Sequence, residues 1–136
     1  MLIRSWRVKR GSRLNLRQAG QGAEVLASDF LAGQNYRILA RNYRVKMGEI
    51  DIIAQDGDTV CFVEVKMRRT TRFGNPFEAV SSHKMRKIIQ VAWHYLKAEK
   101  LERSKARFDV VAVRPAGNSF QCELLKNAFR LDEAGG

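Results

Sequence analysis

The sequence predicts an α/β fold, one mixed β-sheet flanked by helices in the order α-β-β-β-α-β-β. Three observations predict it. Two stretches repeat apolar residues at helical spacing, five others are short and nearly continuous in apolar residues, and Gly, Pro and Asn punctuate the gaps between them. A mixed sheet with helices against it buries both kinds of surface.

The first helix is expected over residues 20–32, where Ala23, Leu26, Ala27, Phe30 and Leu31 form the stripe and Gly33 supplies a stop. Tyr36 to Arg44 and Glu49 to Ala54 read as strands separated by a turn at Met47 and Gly48. Val60 to Lys66 follows the hairpin signal Asp56-Gly57 as a third strand. Residues 67–80, with Gly74 and Pro76, have the composition of a loop. Met85, Ile88, Ile89, Ala92 and Leu96 then mark a second helix from Ser82 to about Lys97, which Ser81 or Ser82 can cap. Phe108 to Val113 and Phe120 to Leu125 complete the set, joined through Pro115 to Asn118.

A chain of 136 residues, 45% hydrophobic, supports one compact core. We therefore expect a single domain over residues 20–130, preceded by a basic, flexible tail (1–19) and followed by a short tail (131–136). Twenty-five Lys and Arg against fourteen Asp and Glu give a net charge of +11, which points to a polyanionic partner, nucleic acid before an anionic membrane. No apolar run approaches the roughly 18 residues that spanning needs, and the N-terminus lacks the apolar stretch of a signal peptide. Arg4, Arg7, Lys9, Arg10, Arg13 and Arg17 crowd that terminus. Without them the balance is still +5, so the body of the protein is itself basic. Cys61 and Cys122, in no metal-ligand spacing, are expected to be reduced, buried thiols of a cytoplasmic protein.

Chemistry concentrates on the hairpin from Glu49 to Lys66. A two-residue loop pairs Gln55 with Asp58 and puts Asp51 across from Phe62, whereas a four-residue loop pairs Gln55 with Val60 and puts Asp51 across from Glu64. Strand parity is the same either way. Asp51, Glu64 and Lys66 are expected on one face with Ile53 and Phe62, and Ile50, Ile52, Val63 and Val65 on the other. Two carboxylates on a largely apolar sheet need compensation. A divalent cation, Mg²⁺ with Mn²⁺ as its substitute, supplies it, and Lys66 can steady charge developing at phosphorus. These are the parts of metal-assisted phosphodiester hydrolysis. The alternative is a solvated pair of carboxylates with Lys66 as a surface partner.

The acidic Glu24 on a helix, Asp51 on a strand and Glu64-Val65-Lys66 on the next resemble the PD-(D/E)XK nuclease signature, in an order similar to archaeal Holliday-junction resolvases. A wider resemblance, from Gly22 onward, is to the YraN family of predicted bacterial endonucleases. It is carried by Gly22-Ala23-Glu24, Arg41-Asn42-Tyr43-Arg44, Gly48-Glu49-Ile50-Asp51, Phe62 to Lys66 and Phe73-Gly74-Asn75-Pro76. Glu78-Ala79-Val80, Lys84, Arg107-Phe108-Asp109 and Lys126-Asn127-Ala128-Phe129 extend it. The resemblance implies a restriction-endonuclease-like fold. It implies Asp51, Glu64 and the Val65 carbonyl as metal ligands, Lys66 as the catalytic lysine, and Glu24 as an outer or second-metal ligand. The implied activity is cleavage of DNA, including branched or flapped forms, with RNA left open; a homodimer would suit junctions. The competing reading keeps the fold as a binding module without chemistry.

Other residues are weighed singly. Glu49 shares the Asp51 face but reads first as a solvated hairpin-end residue. Lys84 opposes the dipole of the second helix, so it either awaits a phosphate or swings into solvent. Arg68, Arg69 and Arg72 directly follow Lys66 and are assigned to phosphate contact. Trp93 and Tyr95 could stack on bases, yet helical spacing favours packing. His83 and His94 are too far apart to act as one ligand pair and show no partner in the sequence. Asp109 pairs with Arg107, caps the strand or supports the site.

Overall fold

The computed structural model describes residues 3–9, 19–67, 81–117 and 119–129, the first segment and residues 19–21 as backbone only. Eight elements follow one another: β1 (Ile3–Lys9), α1 (Ala19–Gly33), β2 (Arg37–Val45), β3 (Gly48–Asp56), β4 (Thr59–Met67), α2 (Ser82–Ala98), β5 (Lys105–Ala116) and β6 (Ser119–Phe129). From α1 onward the expected order of helices and strands is the order found. The segment read as a flexible tail departs from expectation, because residues 3–9 form a strand antiparallel to β6. The density of arginines obscured its content of Ile3, Trp6 and Val8, and without this strand β6 would be the sheet edge, with unpaired backbone groups open to an added strand.

The six strands form one mixed sheet in the order β1-β6-β5-β4-β3-β2. Only β4 and β5 run parallel, from Thr59 opposite Lys105 to Met67 opposite Val113, and α2 lies between them in the chain as the crossover. One face is covered by α1 through Leu26, Ala27, Phe30 and Leu31, packed with Ile52, Ala54, Cys61, Val63, Val111 and Leu124. The other is covered by α2 through Ile88, Val91, Ala92, Tyr95 and Leu96, packed with Ile50, Ile53, Phe62 and Phe108. Both faces being buried, β4 and β5 read as continuous apolar runs instead of alternating ones.

The helix ends are set by local chemistry. Gly33, the expected stop, stays inside α1. The left-handed residue is Asn35 (φ 69°), with Tyr36 N–H donating to the Leu31 carbonyl (3.0 Å) and Asn35 N–H to that of Ala32 (3.1 Å). This is a Schellman end, and Tyr36 and Leu31 share one core cluster as that motif favours. The end of α2 is built the same way: Lys100 (φ 58°) takes the left-handed position and Leu101 N–H donates to the Leu96 carbonyl (2.7 Å). At its start, the Ser81 hydroxyl accepts the Lys84 N–H at 3.2 Å, which selects Ser81 over Ser82 as the cap.

Candidate functional site

The β3–β4 hairpin turns tightly around Gly57 (φ 62°) and Asp58, pairing Asp56 with Thr59 and Gln55 with Val60. Of the two registers left open by the sequence, this is the one that aligns Asp51 with Glu64, and it is reached with a two-residue loop instead of the four residues expected for it, because Asp56 and Thr59 also pair. Pairing runs only as far as Ile52 opposite Val63. Beyond it the strands part, and the Val65 N–H is accepted by Asp51 Oδ2 at 2.8 Å. A side-chain carboxylate thus replaces a ladder carbonyl at the fork.

Strict alternation fails at the same point. Ile52 and Val63 lie in the core under α1, with Val65 packed against it, but Ile50 lies in the core under α2. The expectation that Ile50 and Ile52 share a face is therefore corrected. Period-two reasoning holds only while the ladder is intact, and here it ends one residue short of Asp51.

Asp51 also gathers an acidic neighbour on its own strand. Carboxylate oxygens of Glu24 on α1 and of Glu49 and Asp51 on β3 all lie within 4.8 Å of one another. Burial pushes Asp51 up to about 7; the charge of Glu64 adds to the shift, as do Glu24 and Glu49, against the opposing Val65 hydrogen bond. Three carboxylate oxygens this close together form a donor set that fits a hard divalent cation. Glu49, read first as solvated, is the residue the sequence undervalued. It also bonds Arg44, whose Nε donates at 2.8 Å.

Glu64 is only 8% exposed and is occupied differently. Lys84 Nζ stands 2.5 Å from its Oε1 and Lys66 Nζ 3.9 Å from the same oxygen. Burial alone would lower the Lys84 pKa, but the hydrogen bond to Glu64 and the nearby Asp51 charge hold it above the ordinary lysine value. Lys84 thus reaches the site from the α2 side and pairs with Glu64, its side chain still 41% exposed. Arg68, Arg69 and Arg72 lie outside the described residues, as do Phe73 to Val80.

The Arg107 and Asp109 pair belongs elsewhere. Asp109, 1% exposed, accepts from Arg107 Nε (2.9 Å), from Tyr36 Oη (3.2 Å) and from the backbone N–H of Asn127 (2.9 Å), while Arg107 also donates to Asp56 (2.9 Å). Tyr36 follows the C-terminus of α1, whereas Glu24 is near the N-terminus. The network is therefore a tie between sheet and helix end, and Asp109 is not part of the carboxylate cluster. Cys61 and Cys122 are both free and buried, as expected. Tyr95 packs edge-on to Tyr43 and Phe62, at ring distances of 5.2 and 6.1 Å. Trp93 stays out of the core, and His94 finds a partner after all in the Tyr43 hydroxyl, 2.9 Å away. Among the described residues no helix is long and apolar enough to cross a membrane.

Comparison with known proteins identifies relatives across most of this chain. The "UPF0102 protein" of Syntrophus aciditrophicus (strain SB) is 47% identical, with 86% of this chain and 91% of that protein covered. The counterpart from Symbiobacterium thermophilum is 46% identical over 83% and 97%, and that of Caldicellulosiruptor saccharolyticus 42% over 85% and 100%. Among solved structures, "The structure of Pyrococcus Furiosus SfsA in complex with Ca2+" aligns with 82% of this chain and 62% of that one, at 12% identity and a TM-score of 0.39. The model described as "Uncharacterised protein family UPF0102" matches residues 23–113, a span running from the residue before Glu24 through Asp51, Glu64, Lys66 and Lys84. The chain belongs to the UPF0102 family, the one its sequence segments resembled under the name YraN.

Proposed function

We propose that this protein is a metal-dependent endonuclease that hydrolyses nucleic-acid phosphodiester bonds, with branched or flapped DNA as its substrate class. The observation that carries the reading is the fork at Asp51. There a half-buried carboxylate has lost part of its hydration, faces three other acidic residues, and is held above its ordinary pKa by both. Asp51 and Glu24, with Glu49, would hold Mg²⁺ or Mn²⁺, and Glu64 with the Val65 carbonyl would join them once Lys84 withdraws. A bound divalent ion supplies Lewis acidity and an activated water. The chain itself supplies orientation: the Val65 N–H fixes the Asp51 carboxylate, and Lys66, next to Glu64, places a positive charge where phosphorus would gain negative charge. The net charge of +11 supports a polyanionic substrate.

One observation favours a second reading, a nucleic-acid-binding module without chemistry. Glu64 is already neutralised by Lys84 at 2.5 Å, so this half of the site is balanced without an ion.

The test is a panel of linear, single-stranded, flap and four-way DNA and matching RNA, incubated with purified protein in Mg²⁺ and in Mn²⁺. Cleavage that disappears in Asp51→Asn and Glu64→Ala supports the enzyme. Salt-sensitive binding without cleavage in either metal, unaffected by Glu64→Ala, establishes the binding module instead.

A further inference from the structure

Two large apolar side chains stand out as exposed among the described residues, Met47 at 41% and Trp93 at 39%. They lie together. Met47, in the turn between β2 and β3, and Gln90, Trp93, His94 and Lys97 of α2 line one open groove of about 670 Å³. The turn is anchored under the helix, since a Cβ on Gly48 would stand 3.4 Å from Val91 Cγ2. His94 is held by the Tyr43 hydroxyl at 2.9 Å, which gives the groove a fixed wall.

Basic side chains predominate around it, with Glu99 at the C-cap of α2 as an acidic neighbour of Tyr43. Helix α2 contains four basic residues, Lys84, Arg86, Lys87 and Lys97, and no acidic one. Lys84 turns inward to Glu64, whereas Arg86, Lys87 and Lys97 are exposed, and Arg86, Gln90, Trp93 and Lys97 recur at the spacing of one helical face. Lys46 is exposed beside Met47. A second copy of this chain would bring an equally basic face against it. A polyanion meets the charges while an aromatic ring meets the indole.

Strand β3 links the groove to the carboxylate cluster, with Met47 in the turn before it and Glu49 and Asp51 on it. Met47 precedes Asp51 by four residues, roughly 13 Å along an extended strand. That is the rise of about four stacked nucleotides at about 3.4 Å each.

We propose that Trp93 is a stacking platform for an unpaired base, in single-stranded or frayed nucleic acid, close to the strand that enters the Asp51 site. Met47 closes the groove on one side, and Arg86, Lys87, Lys97 and Lys46 take the flanking phosphates. This rests on the nucleic-acid reading above but not on hydrolysis. It gives a physical reason for a preference for flaps and branches over uninterrupted duplex, because only an unpaired base offers its face.

The experiment uses the full chain carrying Trp6→Phe, which leaves Trp93 as the single indole of the two in the sequence. Labelled oligo(dT), a flap and a blunt duplex are titrated in EDTA, with anisotropy reporting binding and indole emission reporting stacking. Quenching by oligo(dT) and the flap but not by the duplex is expected. Affinity for oligo(dT) should fall roughly ten- to a hundredfold in Trp93→Ala and recover in Trp93→Phe but not in Trp93→Leu. Binding with unchanged emission and no effect of Trp93→Ala overturns this inference and leaves the nucleic-acid reading standing. No anisotropy change with any DNA or RNA at low salt overturns both. A dimer in sedimentation that Trp93→Ala dissociates assigns the groove to a second copy and overturns it.

Discussion

The Asp51 carboxylate accepts the backbone N–H of Val65 at 2.8 Å, one residue beyond the last paired rung of β3 and β4. That bond holds the fork open and fixes Asp51 among Glu24, Glu49 and Glu64.

The first prediction concerns pH. With Asp51 raised from 3.8 to about 7, the folded state binds this proton more tightly than the unfolded chain does. Its contribution therefore favours folding most at low pH and declines as pH rises from about 4 to 7. In EDTA, urea midpoints should drop across that window; Asp51→Asn, which keeps an acceptor for Val65, should flatten the drop and be the more stable form at pH 8. Mg²⁺ or Mn²⁺ should restore wild type at pH 8 and leave Asp51→Asn unchanged.

Lys84→Ala should destabilise the protein at pH 7 by about 1–3 kcal/mol, because Glu64 is left nearly buried with Lys66 at 3.9 Å as its remaining counter-charge. Adding Glu64→Gln should recover most of the loss. A double-mutant cycle from denaturant melts measures the coupling, and additive effects would show that the pair contributes nothing.

Arg107→Met strips Asp109 of its cation while leaving the carboxylate 1% exposed, and should cost about 3–5 kcal/mol. Asp109→Asn in the same chain should return part of it. DNA binding by the material that stays folded should be unchanged, since this network lies at the far end of α1 from Glu24.

Two helix-end substitutions test the local account. Lys100→Gly relieves a left-handed residue with φ 58° and should stabilise by about 0.5–1 kcal/mol. Ser81→Ala removes the acceptor for the Lys84 N–H and should cost about 1 kcal/mol. Thermal midpoints moving in opposite directions would bear out both.

Much of the site is legible in the sequence because it lies on two adjacent strands. Turn chemistry at Asp56-Gly57 and alternation along β4 are local properties, and they bring Asp51 level with Glu64 and Lys66, although the parting of the strands after Ile52 lies beyond what parity shows. Glu49 is undervalued for the opposite reason. Its proximity to Glu24 depends on how α1 crosses the sheet. Trp93 and Tyr95 show the same limit: they lie two residues apart on one helix, and only the seating of α2 over β3 sends Tyr95 inward and leaves Trp93 at the surface.

What the sequence determined by itself was the alphabet of elements from α1 onward, their order, the two buried faces and the basic balance, all of which follow from periodicity, capping and charge within short windows. What only tertiary structure decided was which charges meet. The strand at residues 3–9 has its partner more than a hundred residues away, and Lys84 meets Glu64 across a crossover. The departure of β3 from β4 at Asp51 is likewise a compromise between packing under two helices, which no local pattern encodes.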